Sequence, residues 1–324
     1  MYTKKQQMKK IFILIILMLS NYNAKAQTPN DVVGYYKLRG GSHYLKPDGT
    51  FVIIGYATLI TGKWTLKEHG EVNFVPDSPK ESFQVYGRYT PELKENSKFM
   101  LSNGLDKGET FMHIGKLSAV NPKLQRVYVK GHHCIKFPEV YTTTKKVDTI
   151  SFSSFPYDNL RAKDFKPTIY TYNNTEKFND FIVYHFSDHP NYHAFSYLFK
   201  DNVMYEDEDD YSKKQNLNDA LKESEFGQIS GIDFEPKIVL STLKYNIRES
   251  DTEDINFKLN YNLDEKRNAY INKLNYVAGE ENAEDYDYNN TNLLYIYKKI
   301  DTFIKFQKAF LIEQKSIFKD HCKE

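Results

Sequence analysis

The feature that most constrains the fold is a series of short extended segments between Asp31 and Tyr141, separated by turn residues at intervals of about 8 to 12 residues. Tyr44–Ile54 is an example, because two apolar runs flank a Pro-Asp-Gly turn whose Gly49 can take the positive φ of a tight reversal. No long helical period interrupts this region. Residues 27–141 are therefore predicted to form an all-β antiparallel barrel domain.

Three short motifs in this region resemble the start of bacterial lipocalin-like envelope domains. They fit a G-x-Y/W strand, a DGTF hairpin and a G-x-W strand, and they read Gly34-Tyr35-Tyr36, Asp48-Gly49-Thr50-Phe51 and Gly62-Lys63-Trp64-Thr65-Leu66. The resemblance implies a lipocalin-like β-barrel. The residues themselves agree, because Gly62 allows close backbone approach and Trp64 is large enough either to close one end of a barrel or to serve as its largest core residue.

The first 26 residues predict export. Four lysines precede the apolar run Ile11–Ser20, and Ala24-Lys25-Ala26 has the small residues of a signal-peptide cleavage site. That run is half the length of about 20 residues that a membrane-spanning helix needs, so an uncleaved anchor is the less favoured alternative. We expect a signal peptide at residues 1–26, a periplasmic or extracellular mature chain, and no stable membrane anchor after cleavage.

Charge and cysteine content exclude several classes of protein. The chain has 44 basic and 43 acidic residues, and five of the lysines belong to the signal segment, so the mature formal charge is −4. This balance argues against a nucleic-acid partner, which a basic excess would favour. Cys134 and Cys322 are too far apart in sequence for a zinc knuckle, and whether they form a disulfide stays open.

The second half of the chain has a different composition. Residues 27–145 carry a formal charge of +5 and residues 146–324 carry −9. We therefore expect a boundary near residues 140–160 and a second domain, of the α+β class, at 142–324. Phe181–Phe186 and Ala194–Asp201 are predicted to be paired strands, whereas Lys237–Ile247 fits either strand or helix.

Three segments of this half are predicted to be helical. They are Asn218–Glu225, Asp264–Ala278 and Asn292–Phe318. In the last of these, the apolar residues from Leu293 to Leu311 recur near one helical stripe, which predicts a long amphipathic helix packed on the domain, or, less favoured, a helix that binds a partner or a membrane surface.

Candidate chemical motifs are few, and none assigns a catalytic residue, metal or cofactor. His185, His189 and His193 recur every four residues, but Pro190 interrupts the helix that would align their imidazoles. His132, His133 and Cys134 are adjacent in an extended segment, where neighbouring side chains point to opposite faces. The acidic run 206–210 lacks the ligand spacing of an EF-hand and is predicted to be a solvated loop.

Aromatic residues are unusually abundant, with 26 Tyr and 22 Phe. Because tyrosines on β surfaces can stack on sugar rings or apolar ligands, the candidate ligand-binding residues are Tyr36, Tyr44, Tyr56, Trp64 and Tyr86. The leading hypothesis is a non-enzymatic exported protein that binds a small apolar ligand or another envelope component. The alternatives are a hydrolase with its site between two domains and a structural or interaction protein with a solid barrel.

Overall fold

A computed structural model describes residues 27–56, 58–101, 109–129, 139–156, 165–187, 190–224, 226–242, 246–248, 252, 254–274, 276–278 and 293–318. The chain divides into two compact units. The barrel unit comprises residues 27–77 and 191–232, and the second unit comprises residues 78–190 and 233–318. The predicted signal peptide lies outside the described residues.

These units do not match the predicted division into 27–141 and 142–324. Residues 78–141 belong to the second unit, and residues 191–232 return to the barrel unit. The reason is long-range strand pairing, because the strand Phe195–Lys200 pairs with the strand Glu71–Pro76, more than a hundred residues earlier. The composition of the chain does not indicate that residues 78–190 separate two parts of one unit.

The barrel unit is a nearly closed antiparallel barrel of eight strands. Its strands, in their order around the sheet, are β1 (Gly34–Leu38), β2 (Gly41–Leu45), β3 (Thr50–Gly55), β4 (Thr58–Leu66), β5 (Glu71–Pro76), β14 (Phe195–Lys200), β15 (Val203–Tyr205) and β16 (Tyr211–Lys213). Two short helices, α1 (Pro29–Val32) and α2 (Leu217–Lys222), accompany them, with 3₁₀ turns at Glu68–Gly70 and Phe226–Gln228. The predicted hairpin around Gly49 is confirmed as β2 and β3.

The seam between β1 and β16 is held in part by side chains. Tyr35 and Gln215 exchange two backbone hydrogen bonds of 3.1 and 2.9 Å. Further along, the Lys37 amide donates to the Ser212 hydroxyl at 2.9 Å. The Arg39 amide donates to both carboxylate oxygens of Asp210 at 3.0 Å. Side-chain acceptors thus replace carbonyl groups where the ladder ends, and the edges of the sheet are satisfied.

Aromatic side chains pack together inside the barrel. Alternation along the strands sends one set of residues inward, and the largest fully buried ones are Tyr36, Leu45, Phe51, Phe74 and Phe199. The rings of Phe51 and Phe74 meet edge to face with centroids 5.1 Å apart. The prediction that Gly62 permits close approach is also confirmed, since a β-carbon there would lie 2.7 Å from the Pro76 α-carbon.

The second unit contains two sheets. The nine-stranded sheet contains β6 (Phe83–Arg88), β7 (Ser97–Leu101), β10 (Glu139–Thr143), β13 (Asp180–His185), β17 (Ile238–Ser241), β18 (Asn246–Arg248), β19 (Tyr261–Asp264), β20 (Ala269–Asn272) and β21 (Leu293–Lys299). The six-stranded sheet contains β8 (Glu109–Ile114), β9 (Lys123–Arg126), β11 (Thr149–Phe155), β12 (Thr168–Asn173), β22 (Phe303–Gln307) and β23 (Leu311–Glu313). Helix α3 (Ile255–Asn260) and a 3₁₀ turn at Pro91–Leu93 belong to this unit. The 3₁₀ turn Pro190–Tyr192 contains the residues at which the chain passes from the second unit to the barrel unit.

The predicted long amphipathic helix at the C-terminus is wrong. Residues 293–313 form β21, β22 and β23, and the longest helices in the described residues, α2 and α3, have six residues each. The α+β assignment of this half fails for the same reason, because strands far outnumber helices in its described part. β21 is paired on both sides and buried on both faces, so its apolar residues follow one another almost without interruption, and such a run also fits a helical stripe.

Two other local predictions need correction. Asp264–Ala278 begins at the last residue of β19 and contains β20. In the turn between these two paired strands, the Asp264 carboxylate accepts from the Arg267 amide and Asn268 has a positive φ of 49°. Strands β13 and β14 exist as expected, but they belong to different sheets instead of pairing. Lys237–Ile247 contains β17 and the first two residues of β18, and the helix predicted at Asn218–Glu225 is confirmed from Asn218 to Lys222 as part of α2.

Candidate ligand-binding groove

The barrel unit has a concavity of about 430 Å³ beside β14 and β15, which we call the outer groove. Its apolar part comes from Tyr197, Leu198 and Tyr205. Its polar part comes from Ser196 and from the carboxylates of Glu71, Glu206, Asp207 and Glu208. The volume lies within the range of about 300 to 1,000 Å³ that is usual for small-molecule sites.

The sequence of β14 explains why apolar groups reach the outside of the barrel. Phe195, Tyr197 and Phe199 belong to the inner set, and the alternate residues Ser196 and Leu198 therefore face outward. The turn Asp201-Asn202 has two positive φ angles, of 52° and 62°, which is the geometry of a tight type I′ hairpin. This turn fixes the register between β14 and β15.

That register forms a row of side chains across four strands. Leu198 pairs with Glu71 on one side and with Tyr205 on the other, and Tyr205 pairs with Tyr211. Directly paired residues share one face of an antiparallel sheet, so the four side chains lie side by side. Leu198 is 45% exposed and Tyr211 is 58% exposed, which leaves an apolar and aromatic strip open to solvent.

The charged groups of the outer groove are all acidic. Glu71 accepts from the Ser196 hydroxyl at 2.8 Å and pairs with Lys67 at 3.2 Å. Burial, together with the neighbouring Asp210 carboxylate, raises the pKa of Glu206 above its ordinary value. Among the described residues, no ion pair involves Glu206, Asp207 or Glu208.

A buried polar cluster lies behind the groove. The Tyr197 hydroxyl group interacts with Glu206, and burial raises the pKa of this tyrosine. The ring of His43 lies 5.7 Å from the ring of Tyr197, and its Nδ1 bonds to the Gly41 carbonyl at 3.1 Å. Burial lowers the pKa of His43 to about 4, and the residue is only 2% exposed. His43 thus supports the groove from inside the barrel and cannot contact a ligand in it.

The predicted ligand-binding residues are not brought together. Tyr36 and Trp64 share the barrel core, where the Tyr36 hydroxyl donates to the Val32 carbonyl and the Trp64 indole donates to the Lys46 carbonyl at 3.1 Å. Tyr44 is buried on another face of the barrel sheet, against Leu217 of α2. A role in ligand binding stays a prediction for these three residues.

The remaining two predicted residues lie in different surroundings. Tyr56 is fully exposed at the turn between β3 and β4, with a relative exposure of 101%. Tyr86 is fully buried on β6 in the second unit, and its hydroxyl contacts Gln84 Oε1 at 3.0 Å and the Pro236 carbonyl at 2.9 Å. Neither residue lines the outer groove.

The histidine and cysteine motifs are only partly visible. His185 is buried on β13 and stacks on Phe83 with centroids 4.6 Å apart, whereas His193 is exposed in the barrel unit. His132, His133, Cys134, His189 and Cys322 lie outside the described residues. In the part of the chain that the structure describes, no three His, Cys, Asp or Glu side chains are grouped to hold a metal ion. Nor is any helix in that part long and apolar enough to cross a membrane.

Sequence reasoning missed the groove residues Tyr197, Leu198 and Tyr205. The strand of Tyr197 and Leu198 was predicted, and its alternation of inner and outer residues was visible in the sequence Ala194–Asp201, whereas β15 with Tyr205 was not predicted. The missing information was the identity of the neighbouring strands, β5 and β15, which place Glu71 and Tyr205 beside Leu198. Comparison of the chain with protein-family models, with curated proteins and with solved structures finds no match.

Proposed function

We propose that the chain is an exported, non-enzymatic binding protein that holds a small ligand with an apolar body, or an exposed part of another envelope component, in the outer groove. The observation that carries this proposal is the pair of exposed Leu198 and half-buried Tyr205 within a concavity of ligand size. Contiguous apolar patches at the surface, rimmed by polar residues, are typical of ligand-binding grooves.

The proposal places the ligand outside the barrel. The inner side chains pack together around Phe51, Phe74 and Phe199, which leaves the outer groove as the better candidate. The nearly closed barrel of eight antiparallel strands supports a lipocalin-like assignment for this unit. Export rests on the predicted signal peptide.

Native mass spectrometry of the mature protein, purified from its own host, tests this function. We expect a bound ligand or partner that is retained by Tyr56→Ala and lost from Tyr205→Ala. The two variants remove the same side chain from the same unit, one outside the groove and one inside it. Equal retention by both variants, or the absence of any bound species from the parent chain and both variants, would contradict the proposal.

A second candidate function is a structural or interaction protein with a solid barrel. The packed aromatic core of the barrel unit supports it, because a filled interior needs no ligand for stability. This candidate becomes the better one if no ligand or partner depends on Tyr205. The hydrolase hypothesis would gain support if the purified chain cleaved an ester or glycoside.

A further inference from the structure

We infer that the outer groove is specific for a small organic cation, meaning an ammonium or guanidinium group carried on an apolar body. This inference rests on the proposed function and adds the chemical class of the ligand. It combines two independent properties of the groove, its apolar and aromatic floor and its charge.

The floor provides contact area for the apolar body. Leu198 and Tyr205 are directly paired across β14 and β15, so an aliphatic and an aromatic side chain present one continuous surface. The ring of Tyr205 lies beside the ring of Tyr211, with the two centroids 5.6 Å apart and the ring planes tilted relative to each other. Aromatic faces attract cations through the ring quadrupole, and alkylated ammonium groups benefit most because they are weakly hydrated.

The charge of the groove selects the sign of the ligand. Its charged lining residues are Glu71, Glu206, Asp207 and Glu208, and only Glu71 has a cationic partner, Lys67, among the ion pairs of the described chain. The Asp207 carboxylate accepts the backbone amides of Asp209 and Asp210 at 2.8 and 2.7 Å, which holds this carboxylate at the rim. Several uncompensated carboxylates around an apolar floor repel anions and attract cations.

Three probes of similar size and different charge test the inference: benzyltrimethylammonium, benzyl alcohol and benzoate. Isothermal titration of the mature chain should show that the cation binds about tenfold more tightly than the neutral alcohol, with benzoate the weakest. The preference should decrease as salt is added, because exposed charges are screened.

Matched variants separate the roles of floor and charge. The double variant Glu206→Gln/Glu208→Gln should lose the preference for the cation, whereas Glu68→Gln/Glu223→Gln, which removes the same charge elsewhere on the barrel unit, should retain it. Tyr205→Ala should weaken binding of the cation, and Tyr56→Ala should leave it unchanged.

Three results would overturn the inference: no binding of benzyltrimethylammonium, equal or tighter binding of benzoate, or the same cation preference in both double variants. Probe binding that depends on Tyr205 but not on charge would contradict the cation specificity while leaving the proposed function intact. The proposed function fails separately, when the host-purified protein has no ligand or partner that depends on Tyr205.

Discussion

The two units differ in the kind of polar group that each one buries. The barrel core is built from apolar and aromatic residues, and its buried histidine, His43, is neutral near neutral pH because burial lowers its pKa to about 4. The second unit instead buries a carboxylate, Asp180, which has no solvent exposure and pairs with Arg88 Nε at 2.8 Å and with Lys98 Nζ at 3.1 Å. The barrel core thus buries a neutral imidazole, whereas the core of the second unit buries an ion pair.

The charged cluster joins four adjacent strands of the nine-stranded sheet. Arg88 lies on β6, Lys98 on β7 and Asp180 on β13, and Tyr297 of β21 donates a hydrogen bond of 3.0 Å to Asp180. The guanidinium group of Arg88 also stacks 3.7 Å from the ring centroid of Tyr295. Since a shift by one residue would separate these partners, the cluster adds to the apolar contacts that specify the strand register.

The largest expected effect comes from removing the buried carboxylate. Asp180→Ala leaves Arg88 and Lys98 without their shared partner, so we expect a loss of about 4 kcal/mol in the free energy of unfolding of the second unit. Hydrogen exchange of the β6 and β13 amides measures this loss. Asp148→Ala is the control, because its pair with Lys177 has both side chains 63% exposed and should contribute less than about 1 kcal/mol. Equal effects of the two variants would remove the distinction between the cores.

The second-largest expected effect is a loss of stability of the barrel unit in acid. Folded His43 binds its proton only near pH 4, whereas the unfolded chain binds it near the ordinary value of 6.5. The contribution of neutral His43 to the free energy of unfolding of the barrel unit is therefore complete above pH 6.5. It decreases by about 3 kcal/mol as the pH falls toward 4. Urea unfolding followed by the fluorescence of Trp64, the only tryptophan and a barrel-core residue, measures it.

The variant His43→Asn should be less sensitive to acid than the parent chain, and the exposed control His193→Asn should be as sensitive as the parent. Glu206 acts in the opposite direction, because its raised pKa adds stability as the pH falls, but this side chain is largely exposed and contributes little. A parent chain whose barrel stability does not change between about pH 7 and pH 4 would contradict the assignment of a buried neutral His43.

A smaller effect tests the close packing of the barrel backbone. A β-carbon at Gly62 would lie 2.7 Å from Pro76 Cα and 2.8 Å from Phe51 Cε1, so Gly62→Ala should destabilise the barrel unit by about 2 kcal/mol. In Gly40→Ala the nearest atom would be Glu206 Oε2 at 3.9 Å, and we expect little change. The same urea titration compares the two variants. A neutral Gly62→Ala would mean that β4 and β5 can separate at no cost.

The smallest effect concerns the outer surface of the barrel unit. Asn216 caps α2 by accepting from the amides of Asn218 and Asp219 at 2.9 and 3.3 Å, so Asn216→Ala should cost about 1 kcal/mol. Asn218→Ala, in the first turn of the same helix, is the control. Because α2 packs against Tyr44, a loss in Asn216→Ala much above that value would show that this outer cluster is part of the barrel core.

Local patterns in the sequence determined much of the barrel. The Pro-Asp-Gly turn at Gly49 and the alternation in β1 to β5 depend on neighbours within a few residues, and the corresponding strands were predicted. Helix α2 was also predicted, since its apolar spacing and its polar cap are both local. These features could be predicted because the residues that cause them lie within the segment itself.

Tertiary structure alone decided which strands meet when they are distant in sequence. The sequence of β14 shows an outward Leu198, but only the pairing with β5 and β15 makes it part of a groove with Glu71 and Tyr205. The charged cluster around Asp180 likewise assembles from strands up to two hundred residues apart. The same limit explains the error at β21, where burial on both faces produced an apolar run that periodicity cannot distinguish from a helix. Strand pairing is a long-range contact whose energy comes from the partner, and one strand's own residues do not encode which partner that is.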